Sequence, residues 1–224
     1  MSYFSAEFFA FFNELAENNH KEWFHANKKR HEHAVKQPFQ QLVSDLIQQM
    51  QAMGEPLDIE AKDCILRVNR DVRFSKDKSP YNLHCTAFIS SAGRKDKSIP
   101  GFFLRCAADE VGIMGGCYQP DKQQLDKIRA KIASNPDKAD GVLKQAKFVD
   151  RFGQIKGEQA KRLPKQWQDS LAASPLIAYK QLYYSTTVDA QILNDDDLLE
   201  KLLAYWISAR PVQDFLADAL AGRG

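Results

Sequence analysis

Ile99–Gly115 reads IPGFFLRCAADEVGIMG, which is two apolar runs on either side of the short connection Ala107-Ala108-Asp109. So short a connection joins antiparallel strands, because parallel strands need a crossover of a dozen or more residues. Outward from this hairpin, residues 83–90 and 64–68 alternate in polarity, and residues 179–188 are rich in aromatic and β-branched side chains. These patterns predict further strands, so we expect a mainly antiparallel sheet.

Helical periodicity precedes and follows the predicted sheet. Ser5 is a suitable N-cap for a first helix, and Asn19 followed by Glu22 has the spacing of a capping box for a second. Pro38 suits the first turn of a longer helix, whose apolar rhythm continues until Gly54. The later helices are predicted from Leu125, Ile128, Ile132, Val142, Leu143, Leu198, Leu202 and Trp206. We therefore expect an α+β fold with N-terminal, middle and C-terminal helices flanking the sheet.

The size of the chain indicates a single domain. It has 224 residues, 44% of them hydrophobic and 27% charged, which supports one core of ordinary size but is short for two. Because no repeat or flexible linker interrupts it, we predict one domain over residues 1–224, with its core at about residues 4–220. The net charge is only +2, so any affinity for polyanions must come from local clusters.

The N-terminal and cysteine patterns indicate a cytoplasmic protein. Residues 1–10 lack a basic segment followed by an apolar run and a cleavage site, and nowhere do eighteen apolar residues stand together. We therefore expect no membrane partner. Cys64, Cys85, Cys106 and Cys117 form no Cys-x-x-Cys pair, which argues against a zinc or redox motif and is typical of reduced thiols inside strands.

A basic run from Arg67 to Lys78 is the outlier of the sequence, with five basic and two acidic residues. Guanidinium groups present planar forks of donors that match phosphate or carboxylate oxygens. If the backbone stays extended past Arg67, one face carries Arg67, Asn69, Asp71 and Arg73. We predict that the run binds an anionic small molecule through Arg67, Arg70, Arg73, Lys76, Lys78 and Tyr81.

Three titratable residues could give this site acid–base chemistry. Asp71 and Asp77 could orient the basic groups or act as catalytic carboxylates. His84 lies shortly after the run and could act as a general base, with a packed structural histidine as the alternative. The residues leave it open whether catalysis occurs, and they point to no particular cofactor.

Two other interpretations of the basic run stay open. The run could dock on nucleic acid or on a protein without turnover, in which case nucleic-acid binding should weaken steeply with salt. It could also be purely structural, as an Arg–Asp network that pins a long connection. Nothing in the residues indicates an oligomeric state.

Two weaker motifs carry no prediction of a site. His31-Glu32-His33 has the chemistry of a metal site, but positions i and i+2 do not share a helix face, so we predict no metal site. The glycines of Gly112–Gly116 lack the lysine of a nucleotide-binding loop. They indicate a bulge or a close approach of backbones.

Arg70–Tyr81, which reads RDVRFSKDKSPY, closely resembles the signature of a bacterial and fungal family named domain of unknown function 2461. The resemblance extends over nearly the whole chain. Similar blocks are Asn18-Asn19, Lys21–Phe24, Asn27-Lys28, Pro38, Gly115-Gly116, Tyr118, Pro120, Leu125, Arg129, Leu163-Pro164-Lys165 and Tyr179-Lys180. The sequence departs from the family pattern at His31, Asn82 and Gln166, where a tyrosine, a lysine and a glycine are expected. The resemblance implies a fold and a candidate site at the central run, but no activity.

Overall fold

A computed structural model describes residues 2–96 and 99–222 of the chain. These residues belong to two compact units. The first unit comprises Met1–Lys95, Phe103–Ile113 and Thr187–Leu203, and the second comprises Asp96–Phe102, Met114–Thr186 and Ala204–Gly224. The prediction of one domain over residues 1–224 stays a prediction, and its ends at residues 1 and 223–224 lie outside the described residues.

Four strands form one antiparallel sheet in the order β1-β2-β3-β4. The strands are β1 (His84–Ile89), β2 (Phe102–Ala107), β3 (Glu110–Cys117) and β4 (Leu182–Asp189). β2 and β3 are the predicted hairpin, and its alternating pattern buries Leu104, Cys106, Val111 and Ile113. The predicted α+β class with an antiparallel sheet is confirmed.

Helices precede, interrupt and follow the strands along the chain. They are α1 (Ala6–Glu17), α2 (Lys21–Ala26), α3 (Lys28–His31), α4 (Gln37–Ala52), α5 (Ala61–Cys64), α6 (Lys122–Ser134), α7 (Pro136–Leu143), α8 (Ala146–Phe152), α9 (Lys165–Gln168) and α10 (Leu198–Ala221). Ser5 caps α1 as predicted, with its side chain accepting the Glu7 amide. Within the described residues, no helix combines the length and apolar character needed to cross a membrane.

The core of the first unit is built on the aromatic face of α1. Phe8, Phe11 and Phe12 are almost completely buried, and the Phe8 and Phe12 rings pack edge to face with centroids 5.1 Å apart. Aromatic pairs in this geometry add stabilisation beyond the burial of their area. The aromatic spacing of α1 therefore defines a docked helix, as its sequence predicts.

α4 begins at Gln37, so Pro38 lies in its first turn as predicted, and helical backbone also precedes it. Lys28–His31 is α-helical, Glu32–Lys36 is π-helical and α4 continues from Gln37, with the Gln37 amide donating to the Glu32 carbonyl. Proline has no amide hydrogen and cannot bond the carbonyl four residues back. The widened π turn directly before α4 absorbs this loss, so helical backbone continues from Lys28 into α4.

Residues 64–68 do not form the regular strand that their alternation predicts. Cys64 ends α5, whose capping box joins Glu60 and Asp63, and the chain then pairs only through isolated bridges at Ile65 and Asn69. The local cap outcompetes strand pairing for the first residues of the run. The remainder is an extended segment alongside β1.

The second unit contains a buried polar cluster around Tyr184. Gln213 donates to the Tyr184 hydroxyl and to the Gly101 carbonyl, and all three groups are shielded from water. A Cβ at Gly115 would collide with the Tyr184 hydroxyl, and Gly116 has φ of 89°. A Cβ at Gly116 would also lie 2.5 Å from the Leu182 carbonyl oxygen, so the predicted close approach of backbones occurs at this glycine.

Candidate anion-binding site

Residues 70–80 form a loop, here called the basic loop, that closes a pair of antiparallel segments in the first unit. The Leu66 amide donates to the Thr86 carbonyl at 2.9 Å, and the Asn82 amide donates to the Val68 carbonyl at 2.8 Å. The Arg70 amide donates to the Pro80 carbonyl at 2.8 Å and closes the loop. The paired backbone therefore determines where the basic loop begins and ends.

The second half of the basic loop is held by Arg70, Asp77 and Ser79. The Arg70 guanidinium donates to the Asp77 carboxylate and, at 3.1 Å, to the Ser79 carbonyl. Asp77 also accepts hydrogen bonds from the Ser79 hydroxyl at 2.7 Å and the Ser79 amide at 2.9 Å. These bonds from Ser79, followed by that from Arg70, hold the pKa of Asp77 well below its usual range.

Replacing Asp77 by asparagine is expected to make the fold less sensitive to acid. A carboxylate whose pKa is lower in the folded than in the unfolded state stabilises the fold above about pH 4 and loses that contribution as the pH falls through the folded pKa. The Asp77→Asn protein should melt at a lower temperature near neutral pH, and its melting temperature should decline less between about pH 5 and pH 2.

Circular dichroism melts across this range would measure both effects. Asp58→Asn is the matched control, because Asp58 is exposed and makes no hydrogen bond in the described part of the chain. If the wild-type and Asp77→Asn proteins gave parallel pH curves, the Asp77 network would not stabilise the fold.

The first half of the basic loop is closed by a two-pronged ion pair. Arg73 donates from Nε to Asp71 Oδ1 at 2.9 Å and from Nη2 to Asp71 Oδ2 at 2.7 Å. This pairing lowers the pKa of the Asp71 carboxyl group. Lys78 donates to the Val72 carbonyl at 3.0 Å, whereas Lys76 is exposed and has no hydrogen bond or ion pair among the described residues. Three of the five basic groups in the run from Arg67 to Lys78 are therefore engaged within the loop itself.

The tip of the basic loop carries an exposed aromatic ring. Phe74 is 96% exposed, and the Arg73 guanidinium lies 5.8 Å from its ring centroid. This distance allows a weak cation–π contact at the surface. It keeps the Arg73 side chain on the loop surface, next to Asp71.

Tyr81 is part of the core, where its ring stacks on Phe24 with centroids 4.0 Å apart. Its backbone is held by Asn19, whose side-chain oxygen accepts the Tyr81 amide at 3.1 Å and whose side-chain nitrogen donates to the Tyr81 carbonyl at 2.9 Å. The predicted capping role of Asn19 is wrong, because His20 caps α2 and accepts the Trp23 amide. Local sequence patterns gave no signal for this role, because Asn19 and Tyr81 lie 62 positions apart.

A cleft of about 270 Å³ opens beside the extended segment in the first unit. Its apolar walls are formed by Phe12, Val35, Phe39, Ile65, Leu66, Val68 and Cys85. Val35 belongs to the π-helical turn before Pro38, and π segments of this kind occur frequently at functional sites. We call this feature the Arg67 cleft, after the arginine among its lining residues.

Five polar side chains also line the Arg67 cleft. They are His31, Lys36, Arg67, Asn69 and His84. None of the twelve described lining residues is acidic. Lys36 is paired with Glu32 at 2.9 Å, but Arg67 is exposed and makes no hydrogen bond or ion pair with any described residue. The charge of Arg67 acts on Asp71, whose carboxylate is already occupied by Arg73.

The two histidines of the cleft are uncharged at neutral pH. Burial, and then the neighbouring Arg105, lower the pKa of His84 to about 4, and burial is also the main cause that lowers the pKa of His31. The ring nitrogens of His31 and His84 make no hydrogen bond to the described part of the chain. Each imidazole therefore offers a neutral donor and a neutral acceptor. With this low pKa, His84 is a weak base near pH 7.

The structure separates the predicted site residues into four groups. Arg67 and His84 line one cleft, while Arg70, Asp71, Arg73, Asp77 and Lys78 bond to one another or to the backbone of the basic loop. Tyr81 is buried, and Lys76 lies on the loop surface. Among the described residues, no three His, Cys, Asp or Glu side chains come close enough together to hold a metal ion.

Comparison with known proteins supports the resemblance noted in the sequence. A comparison with curated proteins finds none that is similar to this chain. The family model described as "Conserved hypothetical protein (DUF2461)" matches residues 7–215, which is most of the 224 residues. This match includes the basic loop and every residue that lines the Arg67 cleft. The chain therefore belongs to the DUF2461 family.

Proposed function

We propose that this protein binds a small anionic molecule in the Arg67 cleft and that Arg67 holds the anion. The observation that carries the proposal is that Arg67 lines a cleft with no acidic residue among its described lining, while its guanidinium has no hydrogen-bond partner among the described residues. A guanidinium group offers five N–H donors in a planar fork, and these match a carboxylate or phosphate. In water the fork is solvated, so a ligand exchanges these water contacts for a charge-assisted pair beside apolar walls.

The other basic residues have a supporting role in this proposal. Arg70, Arg73 and Lys78 already donate within the basic loop, so they shape the loop and add positive potential without contacting the ligand. Asp71 and Asp77 hold those cations in place. Because both carboxyl groups have a lowered pKa, they are poor proton donors near neutral pH. We therefore favour binding over acid–base catalysis by these two residues.

The test is a titration of the full chain with sodium acetate and with inorganic phosphate, followed by NMR of the His31 and His84 ring protons. Arg67→Gln should weaken anion binding at least about tenfold, because a hydrogen bond to a charged group contributes roughly 1.5–3 kcal/mol. Arg73→Gln is the matched control and should change the affinity less than about twofold, since its guanidinium is occupied by Asp71. An unchanged affinity in Arg67→Gln, or no response of either ring, would contradict the proposal.

We also propose that the protein acts in the cytoplasm. All four cysteines are free thiols, and three of them are buried. Reduced cysteines are the rule in compartments that glutathione and thioredoxin keep reducing. Fractionation of cells that produce the tagged protein would test the location.

A further inference from the structure

The charge available in the Arg67 cleft limits the charge of its ligand. Of the two lining residues that carry a full positive charge, Lys36 is compensated by Glu32, at 2.9 and 3.0 Å from its two carboxylate oxygens. The imidazoles of His31 and His84 are neutral near pH 7. Arg67 therefore supplies one uncompensated charge at this cleft. A dianionic phosphate ester would leave a second negative charge beside apolar walls, where desolvation is costly.

The walls and size of the cleft define the rest of the ligand. Phe12, Val35 and Phe39 are each only 1% exposed, so the apolar surface that a ligand can cover belongs to the half-buried walls Ile65, Leu66 and Val68. The volume of about 270 Å³ lies just below the ~300–1,000 Å³ of pockets for drug-sized molecules. It suits one ring or a short branched chain and is too small for a nucleotide. A bare inorganic anion would leave these apolar walls uncovered.

The two imidazoles add hydrogen-bonding capacity without adding charge. The ring nitrogens of His31 and His84 have no partner among the described residues, although both side chains are partly buried at the same cleft. The His31 ring is fixed by contacts with Phe11 and Phe24, whose centroids lie 5.3 and 5.1 Å away. Such oriented neutral donors can bind the second oxygen of a monoanion or an uncharged polar substituent.

On the basis of the proposed function, we propose that the ligand of the Arg67 cleft is a small carboxylic acid with an apolar body, such as an aryl or branched-chain acid. The carboxylate pairs with the Arg67 fork, and the apolar body covers Ile65, Leu66 and Val68. A single guanidinium balances a single carboxylate, so neither partner leaves an unpaired charge when water is excluded.

Four small probes separate the contributions of charge and apolar body. They are phenylacetate, acetate, the neutral 2-phenylacetamide and phenyl phosphate, each titrated calorimetrically into the full chain. Phenylacetate should bind at least about tenfold more tightly than acetate, because burial of a ring of this size is worth that factor or more. It should also bind at least about tenfold more tightly than the amide, which cannot form the charged pair.

Two variants connect these affinities to the cleft. Arg67→Gln should remove the preference for phenylacetate over the amide, whereas Arg73→Gln should preserve it. Val68→Thr, a nearly isosteric change in the apolar wall, should weaken phenylacetate by roughly threefold and leave acetate unchanged.

The outcomes distinguish this inference from the proposed function. Tighter binding of phenyl phosphate than of phenylacetate, or equal binding of acetate and phenylacetate, with Arg67 still required, would overturn the carboxylic-acid inference and leave the proposed function intact. Failure of all three anions to bind would overturn both. Binding of phenylacetate that survives Arg67→Gln would likewise overturn both, because the anion would then be held elsewhere.

Discussion

Arg129→Ala is expected to lower the free energy of unfolding by about 3 kcal/mol, because the guanidinium satisfies two backbone carbonyls inside the second unit. Arg129 is only 5% exposed, and it donates to the Ile177 carbonyl at 3.0 Å and to the Tyr179 carbonyl at 3.3 Å. Alanine would leave both buried carbonyls without these hydrogen bonds and would remove the packing of the aliphatic part of the Arg129 side chain. Burial lowers the pKa of Arg129, so the substitution also relieves some desolvation.

The balance between these terms determines the sign of the effect. The charge of Arg129 is partly compensated by Asp126, one turn earlier in α6, so the relief is small compared with the loss of two buried hydrogen bonds. Arg129→Lys should have an intermediate effect, because an ammonium group cannot place two donors in the geometry of the guanidinium fork.

Urea denaturation with fluorescence detection would measure the change. Lys122→Ala in the same helix is the matched control, since its side chain is 92% exposed and its ion pair with Asp126 is worth less than about 0.5 kcal/mol. If the two substitutions cost the same, Arg129 would have no special structural role.

Asn19→Ala is expected to cost about 2–3 kcal/mol and to loosen the segment that carries Arg67. One side chain satisfies both the amide and the carbonyl of Tyr81, a residue only 4% exposed. Tyr81 also forms the bridge to Asn69, so its backbone position aligns the extended segment. Asn19→Asp should lower the stability at least as much. Its carboxylate can still accept the Tyr81 amide, but it has no donor for the Tyr81 carbonyl.

Two measurements would test this expectation. Urea denaturation gives the loss of stability, and amide hydrogen exchange of Asn82, which donates to the Val68 carbonyl, reports the pairing of the extended segment. Asn18→Ala is the neighbouring control. Its side chain bonds only the Glu14 carbonyl at the exposed end of α1, so we expect a cost below about 1 kcal/mol. Unaltered exchange at Asn82 in Asn19→Ala would show that Asn19 does not align the segment.

The alternation of polarity predicted the hairpin well because it depends on near neighbours. The short connection between β2 and β3 allows only antiparallel pairing, and the Ser5 cap requires only the amide two residues later. The same local reasoning failed at Asn19 and at residues 64–68. At Asn19, the distant contact with Tyr81 replaced the predicted helix cap. At residues 64–68, the capping box of α5 replaced the first part of the predicted strand.

The candidate site was only partly accessible to sequence reasoning. The density of charge between Arg67 and Lys78 correctly drew attention to this part of the chain, but the pattern could not tell which basic groups would be occupied. Arg70 bonds Asp77 seven residues away and Arg73 bonds Asp71 two residues away, whereas Arg67 lies at a cleft formed with α1, α4 and β1. The residues that line the cleft could not be predicted from the sequence, because they lie far apart along the chain.

By itself the sequence determined the α+β class, the antiparallel hairpin, the principal helices and membership of the family, since propensities, caps and periodicity act over a few residues. Only the tertiary structure decided that Asn19 reaches Tyr81 across 62 positions and that Arg67, unlike Arg70 and Arg73, makes no side-chain hydrogen bond with any described residue. The physical reason is that a hydrogen-bond donor is occupied or available according to which groups the folded chain brings within about 3 Å of it.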